Sequence, residues 1–160
     1  MIDAEGNFQV VVDRGYVRVM FRINLHIDDA EVLHAIQKRI KVGTVTIGKS
    51  SATYTIRKAL DLENALIPLL ERQNLKTTKY LDYLDFRAVL IELLQAKSSA
   101  FTREKIKWVQ NCIKNINLGR TEVDISLIPD SSINKFWLLG FIEGEGTFGY
   151  KNLVPYLPFF

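Results

Sequence analysis

The chain is 160 residues long, 48% hydrophobic and 24% charged, the balance of a globular domain with one core. Its net charge of +3 is mildly basic, which suits a nucleic-acid partner without demanding one. A single cysteine, Cys112, excludes an intrachain disulfide and a cysteine-based zinc site, and no apolar run approaches the ~18 residues that a membrane span requires.

The chain opens on Ile2-Asp3-Ala4-Glu5-Gly6-Asn7-Phe8. Phe8 to Asp13 then reads as a strand and Arg14-Gly15 as a turn. From Tyr16 to Ile27 the pattern alternates. Val17, Val19, Phe21, Ile23 and Leu25 fall on one side, and Tyr16, Arg18, Met20, Arg22, Asn24 and His26 on the other. Such alternation predicts a half-buried antiparallel strand. Asp28 to Ile40 predicts a helix with Asp28 or Asp29 as cap, Glu31 placed for a capping box, and Val32, Ala35, Ile36 and Ile40 as its apolar stripe. Val42 to Gly48 and Ala52 to Lys58 predict two more strands around Gly48-Lys49-Ser50-Ser51.

Helices follow. Residues 62–73 are capped by Asp61 and kinked at Pro68. Residues 77–97 carry Leu81, Leu84, Ala88, Ile91 and Leu94 on one face. Residues 101–117, capped by Thr102, turn Ile106, Val109, Ile113 and Ile116 inward and end at Gly119. Cys112, Trp108 and Trp137 read as packing residues, and His26 and His34 have no ligand-like spacing to any acid pair. Residues 128–132 read as a linker. The order predicts an α+β unit in which a four-stranded antiparallel sheet has helices on one face and the other face free for a partner.

After the linker, an apolar helix from Phe136 to Ile142 runs into Ile142-Glu143-Gly144-Glu145-Gly146-Thr147-Phe148. This repeats the opening phrase 140 positions later, with Ile, Glu, Gly and Phe identical in register. Each copy places two acids in the last turn of a helix, where the dipole disfavours them by roughly 0.3–1 kcal/mol each. A divalent cation would compensate, and Mg²⁺ takes oxygen ligands from one or two carboxylates while keeping waters. Gly140 and Gly144 are four apart and share a helix face, and Ala4 is the small residue matching Gly144. Two motif helices packed through these residues would bring Glu5 and Glu145 together at the bottom of their seam.

The phrase Leu138-Leu139-Gly140-Phe141-Ile142-Glu143-Gly144-Glu145-Gly146 resembles the LAGLIDADG motif of homing endonucleases and group I intron maturases, and the opening phrase resembles it from Ile2 onward. The resemblance implies a homing-endonuclease-like αββαββα unit whose sheet forms half of a DNA-binding saddle. It implies a site-specific, Mg²⁺-dependent double-strand DNA endonuclease, with Glu5 and Glu145 as catalytic metal ligands and Ala4 and Gly144 beside them in the metal set. Lys79, in the stretch Lys76-Thr77-Thr78-Lys79-Tyr80, matches a lysine that orders water or stabilises phosphate charge near the metals.

On the sheet, the alternation turns Gln9, Val11, Asp13, Arg18, Arg22, Asn24, Thr44, Thr46, Thr53 and Thr55 away from the core, with Lys49 at the hairpin tip. A β-ribbon fits the major groove, where Arg suits guanine and Gln and Asn suit adenine. A plain solvated face would show the same alternation. Arg57, Lys58, Arg72, Lys76, Arg103, Lys105 and Lys107 are further candidates for phosphate contacts.

The expected organisation is a first half-domain over 1–127 with a shortened first motif helix, a linker over 128–132, and the second motif helix with the start of a second half over 133–160. Pro155 and Pro158 argue against a regular strand at the end, and the apolar residues there suggest a surface for self-association. A short first helix would hold Glu5 loosely and one sheet would grip half a target, so weak or absent cleavage by this chain alone is expected. An intron RNA maturase and a non-catalytic DNA-binding remnant are the alternatives. The resemblance also implies a mitochondrial setting, although no targeting segment is recognisable.

Overall fold

The computed structural model describes residues 1–96, 101–117, 120–129, 132–146, 149–151 and 154–156. After a one-turn helix α1 (Ile2–Glu5), strands β1 (Gly6–Asp13) and β2 (Tyr16–His26) form an antiparallel hairpin. Its two turn residues, Arg14 at φ 51° and Gly15 at φ 85°, are both left-handed. That geometry matches the right-handed twist of the strands it joins. β3 (Thr44–Ile47) and β4 (Ser51–Ile56) add a second hairpin, and the sheet order is β1-β2-β4-β3.

The inner face of the sheet is apolar by register: Phe8 pairs with Phe21 and Phe21 with Ile56, while Val10 faces Val19 and Ile23 faces Tyr54. All of these are buried. Phe8 is the hub, with its ring centroid 5.4 Å from Phe21 and 5.1 Å from Phe86. Burying rings of this size contributes roughly 1.5–3 kcal/mol each. The helices close over this face, as the α+β reading predicts. Burial pushes the Tyr54 phenol up to about 12, and its hydroxyl donates to the Val42 carbonyl at 2.8 Å.

Several local expectations are corrected. Helix α2 (Ala30–Ile40) buries Leu33 and half-buries Ile36 and Ile40, whereas Val32 and Ala35 are exposed. A 3-10 turn over Ile27–Asp29 precedes α2, and its cap is His26, whose Nδ1 accepts from the Asp28 amide. Asp29 makes no side-chain cap bond. Nor does Asp61, where a short helix α3 (Ala59–Asp61) passes into a π-helical turn (Leu62–Leu66) and then α4 (Ile67–Arg72). Pro68 stands at the start of α4, directly after the π turn over Leu62–Leu66, where the sequence predicts a kink.

Helix α5 (Lys79–Gln95) buries Leu81, Asp82, Tyr83, Phe86, Val89 and Leu90, a wider surface than the expected stripe. Of that stripe Leu81 is buried, and Leu84, Ala88, Ile91 and Leu94 are half-buried. Helix α6 (Arg103–Asn115) starts as expected, the Thr102 side chain accepting from the Lys105 amide, and buries Val109 and Cys112. Burial raises the Cys112 thiol above its ordinary range. Trp108 is 38% exposed and does not pack in the core. Past α6 the chain turns at Asn117 with φ 62°, while Gly119 lies outside the described residues.

After a 3-10 turn at Ile125–Leu127 comes the second motif helix, α7 (Lys135–Glu145). Beyond it β5 (Gly149–Lys151) pairs with β6 (Val154–Tyr156), so Pro155 stands in a short strand after all. Each strand of a two-stranded ribbon has a free edge, where a missing N–H breaks no ladder bond. Asp130, Ser131, Thr147, Phe148 and the apolar end 157–160 lie outside the described residues.

Candidate functional site

Both motif helices end alike. Gly6 and Gly146 follow the acids, and a β-carbon on either would stand 2.5 Å and 2.4 Å from the carbonyl oxygens of Ile2 and Ile142. Only glycine lets the chain leave the helix this tightly. The seam between α1 and α7 is equally close. A β-carbon on Gly144 would lie 2.4 Å from that of Ala4, and one on Gly140 would lie 3.0 Å from the Met1 nitrogen. The small-residue face read from the sequence is therefore the face on which the helices meet.

Glu5 and Glu145 come together at the foot of this seam. They line a cleft of about 820 Å³ with Lys79, Asp82, Thr77, Phe141 and the sheet residues Asn7, Gln9, Arg22, Asn24 and Thr53. Burial, and next the charge of Glu145, raise the Glu5 carboxyl above its usual range. Burial lowers the Lys79 amine, against the opposing pull of Asp3, Glu145 and Glu5. Lys79 Nζ donates to the Ala4 carbonyl at 2.6 Å, so the lysine sits directly on the first motif helix.

The other motif acids differ. Asp3 is only 7% exposed. Its Oδ1 accepts from the Lys76 amide at 3.0 Å, the Thr77 amide at 3.2 Å and the Thr77 hydroxyl at 2.9 Å, and its Oδ2 accepts from Trp137 Nε1 at 2.6 Å. Its charge at a helix end is thus compensated by four protein donors. Its counterpart Glu143 is exposed. Neither Glu5 nor Glu145 accepts a hydrogen bond among the described residues. Two adjacent carboxylates without donors fit a hard cation with water in its shell. Groups of three or more acid, His or Cys side chains that could form a complete cage are absent among the described residues.

The outer face of the sheet has the predicted composition. Asn24 pairs with Thr53 and Thr53 with Thr46, and Arg22 pairs with Thr55 and Thr55 with Thr44. Asp13, Arg18, Val11, Thr44, Thr46 and Lys49 are exposed, and Gln9, Arg22 and Thr53 are half-buried. Two residues are already engaged: Arg18 bonds Asp13 at 3.2 Å, and Thr53 donates to the exposed Asn24 at 2.7 Å. Thr55 is a correction. It lies in this row but is 4% exposed, covered by its neighbours and closed to a ligand. Of the outlying cations, Lys105 is paired with Glu92, Lys76 Nζ donates to the Ser132 carbonyl and Arg72 to the Pro68 carbonyl.

Sequence reasoning missed Asn7, which opposes Arg22 on the face. It also missed a clip behind the cleft. Asp82 is buried and accepts from the Asn117 amide at 3.0 Å, while Arg120 bonds Asp85 at 2.6 Å and Asp82 at 3.5 Å. Burial raises the Asp82 carboxyl, although the Asn117 and Arg120 donors oppose the shift. Asp82 lies off the apolar stripe read from the sequence, and its partners are 35 and 38 positions away, so the sequence carried no signal for the clip.

Known proteins resemble this chain in both sequence and structure. A family model for LAGLIDADG endonucleases matches residues 1–90. Probable intron-encoded endonuclease 3 of Neurospora crassa is 28% identical over 94% of this chain and 32% of its own length. Mitochondrial protein RF1 of Saccharomyces cerevisiae, itself uncharacterized, is 26% identical over 91% of this chain and 30% of its own. The chain thus spans about a third of these relatives. The LAGLIDADG homing endonuclease I-SmaMI, solved on cleaved DNA, is 29% identical with a TM-score of 0.76, over 92% of this chain and 56% of that one. The same enzyme, solved on uncleaved DNA in the presence of calcium ions, aligns at 25% identity and a TM-score of 0.74 over 92% of this chain and 57% of that one. Two motif phrases, their packed seam, the four-stranded sheet and the family match place the chain in the LAGLIDADG endonuclease family.

Proposed function

We propose that this chain forms the first half and the central seam of a site-specific double-strand DNA endonuclease that hydrolyses phosphodiester bonds. The observation that carries the reading is the meeting of Glu5 and Glu145, from opposite ends of the sequence, in a cleft walled by the polar face of the sheet. The expected halves, 1–127 and 133–160, would then share one reaction centre.

In this reading Glu5 and Glu145 hold Mg²⁺, with Ala4 and Gly144 beside them on the seam and the Ala4 carbonyl engaged by Lys79 Nζ. When bound there, the ion supplies an activated water and charge stabilisation for the leaving oxygen. Lys79, lowered by burial and held at 2.6 Å on the Ala4 carbonyl, stands ready to hold a proton or offset phosphate charge. Gln9, Arg22, Asn24, Thr44, Thr46 and Thr53 supply contacts to base edges, and Arg18 and Lys49 contacts to phosphate. Phosphate contacts make this binding weaken as salt rises. The intron-encoded and mitochondrial names of the relatives support a mitochondrial, intron-encoded origin.

Alanine at both Glu5 and Glu145 tests this. Metal-dependent cleavage should vanish while binding to duplex DNA stays within about twofold. Tighter binding to a group I intron RNA than to duplex DNA, unchanged by the two alanines, would instead favour a maturase.

A further inference from the structure

We propose that Asp3 is the positioning residue of the Glu5–Glu145 site, one carboxylate that sets all three functional side chains relative to one another. The inference rests on the reading of those acids as a metal site. Three paths lead from Asp3 to the cleft. The first is covalent: Glu5 follows two residues later on the same helical turn. The second crosses the seam. Trp137 Nε1 donates to Asp3 Oδ2 at 2.6 Å, and the Trp137 ring stacks on Phe141 with centroids 4.9 Å apart and planes at 11°. Trp137, Phe141 and Glu145 recur at four-residue steps on α7, so they share one face.

The third path runs through Thr77. Its amide and hydroxyl both donate to Asp3 Oδ1, and the same hydroxyl oxygen accepts from the Lys79 amide at 3.3 Å. Lys79 then reaches back to Ala4. Asp3 therefore fixes α1, α7 and the start of α5 at a single point. The paired motif does not repeat this arrangement, because Glu143 is exposed. Groups bonded directly to metal ligands typically alter metal affinity by about 10–100-fold when removed, and Asp3, acting one residue further back, belongs at the low end of that range.

Calorimetric titration of Ca²⁺ into the full chain tests the proposal, with folding followed by thermal melting. Asp3→Asn should weaken Ca²⁺ binding by about tenfold. Trp137→Phe keeps the ring and its stack but deletes the donor, and should weaken binding about threefold to tenfold. In Asp3→Asn the new amide N–H₂ faces the indole N–H, two donors without an acceptor. Trp137→Phe in that background removes the conflict, so the double variant should recover toward Trp137→Phe alone. Folded single variants that bind Ca²⁺ like the parent would overturn the proposal. Should Asp3→Asn fail to fold, unchanged affinity in Trp137→Phe would overturn it equally. A parent that binds no Ca²⁺ contradicts the metal site itself and the proposal with it. Binding lost in Glu145→Ala but untouched by Asp3→Asn contradicts the proposal alone.

Discussion

Gly144 stands against Ala4 with no room for a methyl group, since a β-carbon there would be 2.4 Å from its neighbour. Alanine normally favours a helix over glycine by about 1 kcal/mol. At this position overpacking, typically 1–3 kcal/mol, opposes that gain and should exceed it. Gly144→Ala is therefore expected to lower the melting temperature and to weaken Ca²⁺ binding, because Glu5 and Glu145 are pushed apart. A raised melting temperature would mean that the seam yields.

The Glu5 carboxyl, raised from 4.5 by burial and then by Glu145, gives a pH signature. A raised folded-state value means that the ionised form is disfavoured in the fold. The resulting penalty is absent below pH 4.5, grows as pH rises through the folded-state value, and is constant above it. Glu5→Gln should accordingly melt higher than the parent at pH 7 without metal, and the difference should close as the pH falls below the ordinary carboxylate range. Thermal melts across pH measure it.

Arg22 lies on the wall of the cleft, opposite Asn7 and Thr55 in the sheet. If it meets a base edge, Arg22→Ala should cost about 1–3 kcal/mol with the preferred target and relax the preference at one position. If it meets phosphate, binding should weaken evenly across sequences and the salt slope should fall by about one. Competition binding over a range of salt separates the two, and either outcome places the outer face on DNA.

The clip behind the cleft makes a stability prediction. The side chains of Asp82 and Arg120 are 8% and 16% exposed. Removing one partner of a buried charge pair typically costs about 3–5 kcal/mol, because the other is left unpaired. Arg120→Met should lose part of that in urea unfolding, since Asp82 keeps only the Asn117 amide and Asp85 is left to solvent.

The strands were legible in the sequence because the sheet has one dry face: Val17, Val19, Phe21 and Ile23 are buried on β2, while Arg18 between them and Asn24 after them are exposed. The motif acids were legible because they recur in register. Helix α5 was less so. It is covered on several sides, so its apolar residues outline no single stripe. Asp3 resembled the other motif acids in sequence, and its donors at Lys76, Thr77 and Trp137 are contributed by the tertiary fold. Pro155 was misread because the ribbon that contains it is all edge.

Cleavage of a plasmid library carrying candidate intron insertion sites, in Mg²⁺ and in EDTA, tests the shared Glu5–Glu145 centre most directly. Any cutting by the parent chain should be slow and require Mg²⁺, and Glu145→Ala should not cut at all. Cutting that survives Glu145→Ala would contradict a reaction centre built from these two acids.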